Sequence, residues 1–254
     1  MAKKNLWNQD ELVITLSLYF QLPFGRLNHA TPEVKELAAL LGRSDNSIAM
    51  RLSNFAACDP YIINSGRHGL SSGVQVCKPV WDKYYDNREQ LFIDAANIRA
   101  QYLKKPIEKI LGITETDLEG TTKEVVVKQR VNQDVFRAMI LNNYNSRCAL
   151  TGIDIPELLV ASHIKPWAKC KEERLNPENG ICLSSLYDTC FDKGLIGFDK
   201  DFKVVLSKRI TERCDKEFYN EHFGIITNRK LIMPDEHKPN KLFLEWHMDE
   251  IFLR

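Results

Sequence analysis

One stretch of the chain, residues 147–199, brings together side chains that could hydrolyse a phosphodiester. His163 stands in Ser-His-Ile-Lys-Pro-Trp, Asn179 in Asn-Gly, and Asp188 and Asp192 lie four residues apart. That spacing puts both carboxylates on one face of a helix. The reaction needs an activated water, neutral charge around the phosphate, and help for the leaving 3′ oxygen. A histidine near its ordinary pKa can take the water proton, so His163 is the candidate general base. Paired carboxylates suit a hard divalent ion such as Mg²⁺ or Mn²⁺, which would neutralise the phosphate and the leaving oxygen. Each residue also has a plain reading: a surface histidine against Trp167, an Asn-Gly hairpin turn, and a helix-end aspartate beside Lys193.

These side chains need a scaffold. Apolar Leu158–Ile164 reads as a short strand carrying the histidine, stiffened afterwards by Pro166 and Trp167. Tyr187–Lys193 reads as a helix stopped by Gly194. Leu195–Phe198 and Val204–Leu206 suggest a closing hairpin, and Gln133–Asn142 a helix ahead of the site. The order is strand, long loop, strand, helix.

The first half reads as helical. Trp7–Phe20 is amphipathic, with Asp10 and Glu11 in its first turn. Thr31 and Pro32 start a second helix that Gly42 ends. A polar turn leads to a third helix, Ser47–Phe55. Helix, glycine-containing turn, helix is the outline of a helix-turn-helix. Arg43, Asn46, Ser47, Met50, Arg51 and Asn54 would then face DNA. A helical hairpin that only packs is the alternative. Residues 59–76 read as loop and short β structure, which could be the wing of a winged helix, and 78–105 as one long helix. The expected division is a helical domain over 1–113, a polar linker over 114–128 and a second domain over 129–254.

Composition narrows the class. At 254 residues, 44% hydrophobic and 27% charged, the chain is ordinary for a soluble globular protein. No apolar run is long enough to span a bilayer. MAKKNLWNQDEL lacks the apolar core of a secretory signal, so a cytoplasmic location and no membrane partner are expected. The seven cysteines are scattered without a Cys-x-x-Cys pair and read as reduced thiols. Net charge is only +1, yet Lys123, Lys128, Arg130, Arg137 and Arg147 form a local basic run that could neutralise phosphates.

The strings QRVNQDVFRAMIL, RCALTGI, LLVASHIKPW, NPENGICL, LYDTCFDKGLIGFD and FLEWHMDEIFL resemble HNH endonuclease domains of the restriction type. ALLGRSDNSIAMRLSNF resembles the segment found ahead of such domains. The resemblance implies an α+β chain: a helix-turn-helix-like N-terminal domain and a ββα-metal nuclease domain. It implies restriction or phage defence and double-stranded DNA as substrate. It gives Asn179 the task of holding His163 across the loop, and makes Asp188 and Asp192 metal ligands, while Ser162 could ligate weakly, act through water or not ligate at all. Lys165, Lys169 and Arg174, in the loop after the histidine, could touch the phosphate backbone, or serve as solubilising charges on a mobile loop. One such centre cuts one strand, so a double-strand cut implies a homodimer or two nicks. Two positions depart from the pattern: Ser162 stands where many relatives carry a metal-binding aspartate, and Tyr187 where some carry histidine. The alternative is a non-catalytic DNA-binding protein with a degenerate HNH domain, and a further one is a nuclease that acts on RNA.

Overall fold

A computed structural model describes residues 6–254. The lysines at the start of the chain, which entered the reading of a missing signal, lie outside the described residues. The chain divides into two compact units, Met1–Val135 and Phe136–Arg254. No described helix is long and apolar enough to cross a membrane.

The first unit is helical. Its elements are α1 (Gln9–Tyr19), α2 (Pro32–Leu41), α3 (Asp45–Ala56), α4 (Pro60–Asn64), α5 (Val74–Tyr84), α6 (Arg88–Leu103) and α7 (Ile107–Ile110), followed by α8 (Lys123–Asn143), inside which the division falls. A full capping box starts α1: Asn8 accepts from the Glu11 amide and Glu11 accepts from the Asn8 amide. α1 packs on α3 and α6, burying Leu16, Leu52, Phe55, Leu91 and Phe92. The expected α2–turn–α3 pair is present. Gly42 closes α2 in the left-handed conformation (φ 62°), and Ser44 caps α3.

Three expectations fail here. The segment over 59–76 forms no strand. Asp59 instead caps α4, its side chain accepting from the Tyr61 amide. A Cβ on Gly73 would lie 2.2 Å from Asn54 Oδ1, so this glycine serves close packing on α3 rather than a wing. The helix expected over 78–105 is two, α5 and α6, broken between Tyr84 and Arg88. Residues 123–128, expected in a linker, are helical and begin α8. Val127, Val131 and Val135 recur every four residues and are all buried.

The second unit holds two small antiparallel sheets. β1 (Leu159–His163) pairs with β2 (Gly180–Ser184), setting His163 opposite Gly180 and Ser162 opposite Ile181. α9 (Ser185–Asp192) follows directly, then β3 (Ile196–Phe198) paired with β4 (Val204–Leu206). α10 (Lys208–Arg213) and α11 (Lys216–Phe218) lead to the C-terminal α12 (Lys241–Glu250). The core is built from Phe136, Ile140, Ile181, Leu183, Phe191 and Phe198. The fold is mixed α+β, with the expected strand–loop–strand–helix order in its C-terminal half. All seven cysteines are free, and Cys77, Cys148, Cys182 and Cys190 are buried.

Candidate nuclease site

His163 ends β1 and is half-buried. Its ring stacks on Phe136 of α8, centroids 3.6 Å apart and planes within 12°, and the edge of Trp167 closes another side. His163 Nε2 lies 3.1 Å from the Arg174 carbonyl oxygen. A carbonyl only accepts, so Nε2 carries the proton and donates it, leaving the lone pair on Nδ1. Burial pushes the pKa down to about 4, against the opposing pull of the Arg174 carbonyl. The ring is therefore neutral well below physiological pH, which corrects the expectation of an ordinary pKa.

The loop over 164–179 is held by Asn179, which is fully buried. Its Oδ1 accepts from the Lys165 amide at 2.8 Å, and Nδ2 donates to the Lys165 and Glu173 carbonyls at 3.2 Å each. Its own carbonyl accepts from the Ile164 amide at 2.9 Å. One side chain thus ties together both ends of the loop that supplies the partner of His163. Asn179-Gly180 makes no hairpin turn: Gly180 is extended (φ −133°) and starts β2. A Cβ there would lie 2.3 Å from Ile140 Cδ1 and 2.7 Å from Phe136 Cζ. The glycine lets α8 press against the sheet, and the same pressure puts Phe136 under His163. Arg137, the next residue of α8, donates to the Leu159 and Pro156 carbonyls at 2.7 and 3.0 Å and anchors the start of β1.

Ser162, the residue before His163 on β1, is buried. Ser162 Oγ is buried without a hydrogen bond of full geometry. It lies close enough to Asp188 of α9 to pull that carboxyl's pKa down, although burial wins and the net shift is upward. Asp192, at the end of α9, is also shifted up, by partial desolvation of its carboxyl and then by the charge of Asp188. The two carboxylates and the hydroxyl offer oxygen donors, the kind that a hard cation takes. Among the described residues no three His, Cys, Asp or Glu side chains gather into a ready metal cluster. Any ion would take its remaining ligands from phosphate and water. His163 stays outside this donor set.

Residues 148–199 match the model of the HNH endonuclease family. This segment is an HNH endonuclease domain. It contains β1, β2, α9 and β3, and with them His163, Asn179, Asp188 and Asp192. A comparison with curated proteins finds no match.

The remaining expected residues divide by what they touch. Tyr187 is buried and donates to the His222 carbonyl at 2.7 Å, so it packs. Lys165, Lys169 and Arg174 all sit on the loop after His163, and Arg174 Nε donates to the Trp167 carbonyl. The basic run ahead of the domain is engaged internally. Lys123 pairs with Glu108, Lys128 with Glu89 and Arg130 with Asp117. On α3, Asn46 and Met50 are exposed and Ser47 is half-exposed. Arg43 is different: its guanidinium, 8% exposed, forms a two-bond ion pair with Glu11 and covers Trp7. Asn54 is buried and donates to the Leu70 carbonyl, and Arg51 donates to the Gly73 carbonyl. The expectation that Arg43 and Asn54 face DNA is thereby corrected.

Sequence reasoning missed Phe136 and Arg137 as parts of the site's frame. Phe136 and Arg137 read only as a helix face and a charge. His247 is buried, stacks on Phe191 at 3.8 Å and bonds the Phe191 carbonyl, fixing α12 to the end of α9.

Proposed function

We propose that this chain is a metal-dependent DNA endonuclease in which His163 is the general base. The observation that carries the reading is the tautomer set by the Arg174 carbonyl: Nδ1 keeps its lone pair at any physiological pH. Nδ1 accepts the proton of the attacking water, and Nε2–H holds the ring as it becomes cationic. The negative phosphate offsets that charge, which compensates for the low pKa of the free ring. Asn179 is a positioning residue, holding the loop that carries Arg174. Asp188, Asp192 and Ser162 would hold a Mg²⁺ or Mn²⁺ ion, whose chemistry is to neutralise the phosphate and the leaving 3′ oxygen.

In this reading the helical half over 1–113 grips the duplex and the half over 129–254 cuts it. Asn46, Ser47 and Met50 are the contacts from α3, and Lys165, Lys169 and Arg174 the contacts beside the base. The restriction-type strings support a role in restriction or phage defence, in the cytoplasm. One centre cleaves one strand, so a supercoiled plasmid first becomes nicked, and a homodimer or a second event gives the linear form.

The test is plasmid cleavage with Mn²⁺ or Mg²⁺. Losing a general base costs about 100- to 10,000-fold in rate. The reading expects that loss in His163→Ala, and no cutting in EDTA. Equal cutting by the variant would refute the role of His163. No metal-dependent cutting by the wild type would favour a binding protein with a degenerate centre, to which Ser162 and Tyr187 already point. Cleavage of structured RNA but not duplex DNA would change the substrate.

A further inference from the structure

Cations on this chain are held in two ways, by carboxylates or by aromatic rings. In the first unit, Arg26, Arg43, Arg99 and Lys128 are each ion-paired with a carboxylate. Lys165 and Lys169 have no such partner among the described residues, and aromatic rings of α12 hold them instead. Lys165 Nζ lies 4.4 Å from the Phe243 ring centroid and 5.9 Å from that of Trp246. Lys169 Nζ lies 5.6 Å from the Trp246 centroid. Glu245, the acid next to Trp246, pairs with neither lysine.

The difference matters for binding. A carboxylate positions an ammonium and cancels its charge. An aromatic face positions it through the ring quadrupole and leaves the full positive charge. α12 is also a firm base for the purpose. His247 ties it to α9, and the Asn240 amide at its start donates to the Glu178 carbonyl at 3.0 Å, next to Asn179.

We propose that α12 belongs to the nucleic-acid surface. Trp246 positions Lys165 and Lys169, and the two lysines bind the phosphodiester backbone flanking the phosphate presented to His163. This rests on the nuclease reading for its ligand class, yet it concerns binding and not cutting. Trp246 is a positioning residue.

The test is binding of a duplex oligonucleotide by the full chain without divalent metal, followed by fluorescence anisotropy across a salt series. Each phosphate contact contributes about 0.9 to the slope of log K against log salt. Lys165→Gln with Lys169→Gln should reduce that slope by about 2. Trp246→Ala should reduce it by about 1 to 2, and Trp246→Phe should restore it. The lysine pair is near the surface, so its loss should not unfold the chain, and a melting curve checks the Trp246→Ala protein. An unchanged slope in the lysine double variant, an unchanged slope in Trp246→Ala, or no duplex binding at all would overturn the inference. Plasmid cleavage with Mn²⁺ separates the two readings. A wild type that cuts while its variants keep the full slope defeats this inference alone. A wild type that never cuts while the slopes shift as stated defeats the nuclease reading alone.

Discussion

Replacing Asn179 by aspartate changes almost no atoms and should damage the protein in a pH-dependent way. The aspartate keeps the oxygen that accepts from the Lys165 amide. It loses the two N–H donors that serve the Lys165 and Glu173 carbonyls. Each such bond contributes about 1 kcal/mol net, and each buried carbonyl left without a donor costs about 1 to 3 kcal/mol. The site is fully buried, so little water can replace the donors. A carboxylate there also faces two carbonyl oxygens, and both burial and these neighbours raise its folded pKa above the unfolded value near 3.9. The folded state then binds the extra proton, so stability falls as pH rises from about 4 through the raised pKa. Below that window the protonated aspartic acid regains one donor. The expectation is a loss of about 3 kcal/mol at pH 8, and roughly half of that at pH 5. Urea unfolding followed by tryptophan fluorescence reads this directly, as a midpoint shift of roughly 1 M at pH 8. Under conditions where the variant stays folded, cleavage should still fall at least about tenfold, because the loop carrying Arg174 loosens. A midpoint equal to wild type at both pH values, or a loss that ignores pH, would falsify the clamp.

Two further outcomes follow from the same frame. Gly180→Ala should destabilise by about 1 to 3 kcal/mol because its methyl would strike Ile140 and Phe136. Adding Ile140→Ala should recover part of that loss, and a double-mutant cycle in urea that shows no coupling would contradict the packing. His247 is held at a pKa of about 4 by burial, below its ordinary 6.5. Its stabilisation is complete above pH 6.5 and is lost as pH falls toward 4, because only the unfolded state takes up the proton in that range. Between pH 7 and 4.5 this amounts to about 2 kcal/mol, so His247→Phe should lose that much less stability over the interval. Parallel losses in variant and wild type would mean the buried ring is not the acid-sensitive group.

The nuclease core was largely legible because its signals are local. Apolar residues up to His163 announced β1, and Gly194 announced the end of α9. The strings 195–198 and 204–206 gave the second sheet to within a residue. What could not be read depends on distant partners. No glycine or proline marks the break between α5 and α6. Around it Trp81 stacks on Tyr85, and Arg88 lies over Phe20, a residue far off in sequence. The start of α8 was lost in a polar stretch because valines are weak helix formers, and only their burial on one face makes the segment helical. Phe136 under His163 was invisible for the same reason, since a stacked pair has no spacing rule.

Glycine and charge show where single-residue signals mislead. A glycine says only that a side chain is excluded, by backbone angle or by a neighbour. Gly42 is a case of angle, whereas Gly73 and Gly180 are cases of neighbours. A lysine or arginine likewise states a charge but not whether it is available. The run over 123–130 looked like the phosphate-binding strip by density alone, yet its three cations are ion-paired. The sparser cations after His163 remain open to an anion because rings and carbonyls hold them. In a chain with a net charge of +1, attraction for a polyanion depends on cations left without an acid and not on their total. The loop after His163 is also the one clamped by Asn179, so the geometry that sets the tautomer of His163 also sets where its neighbouring cations stand.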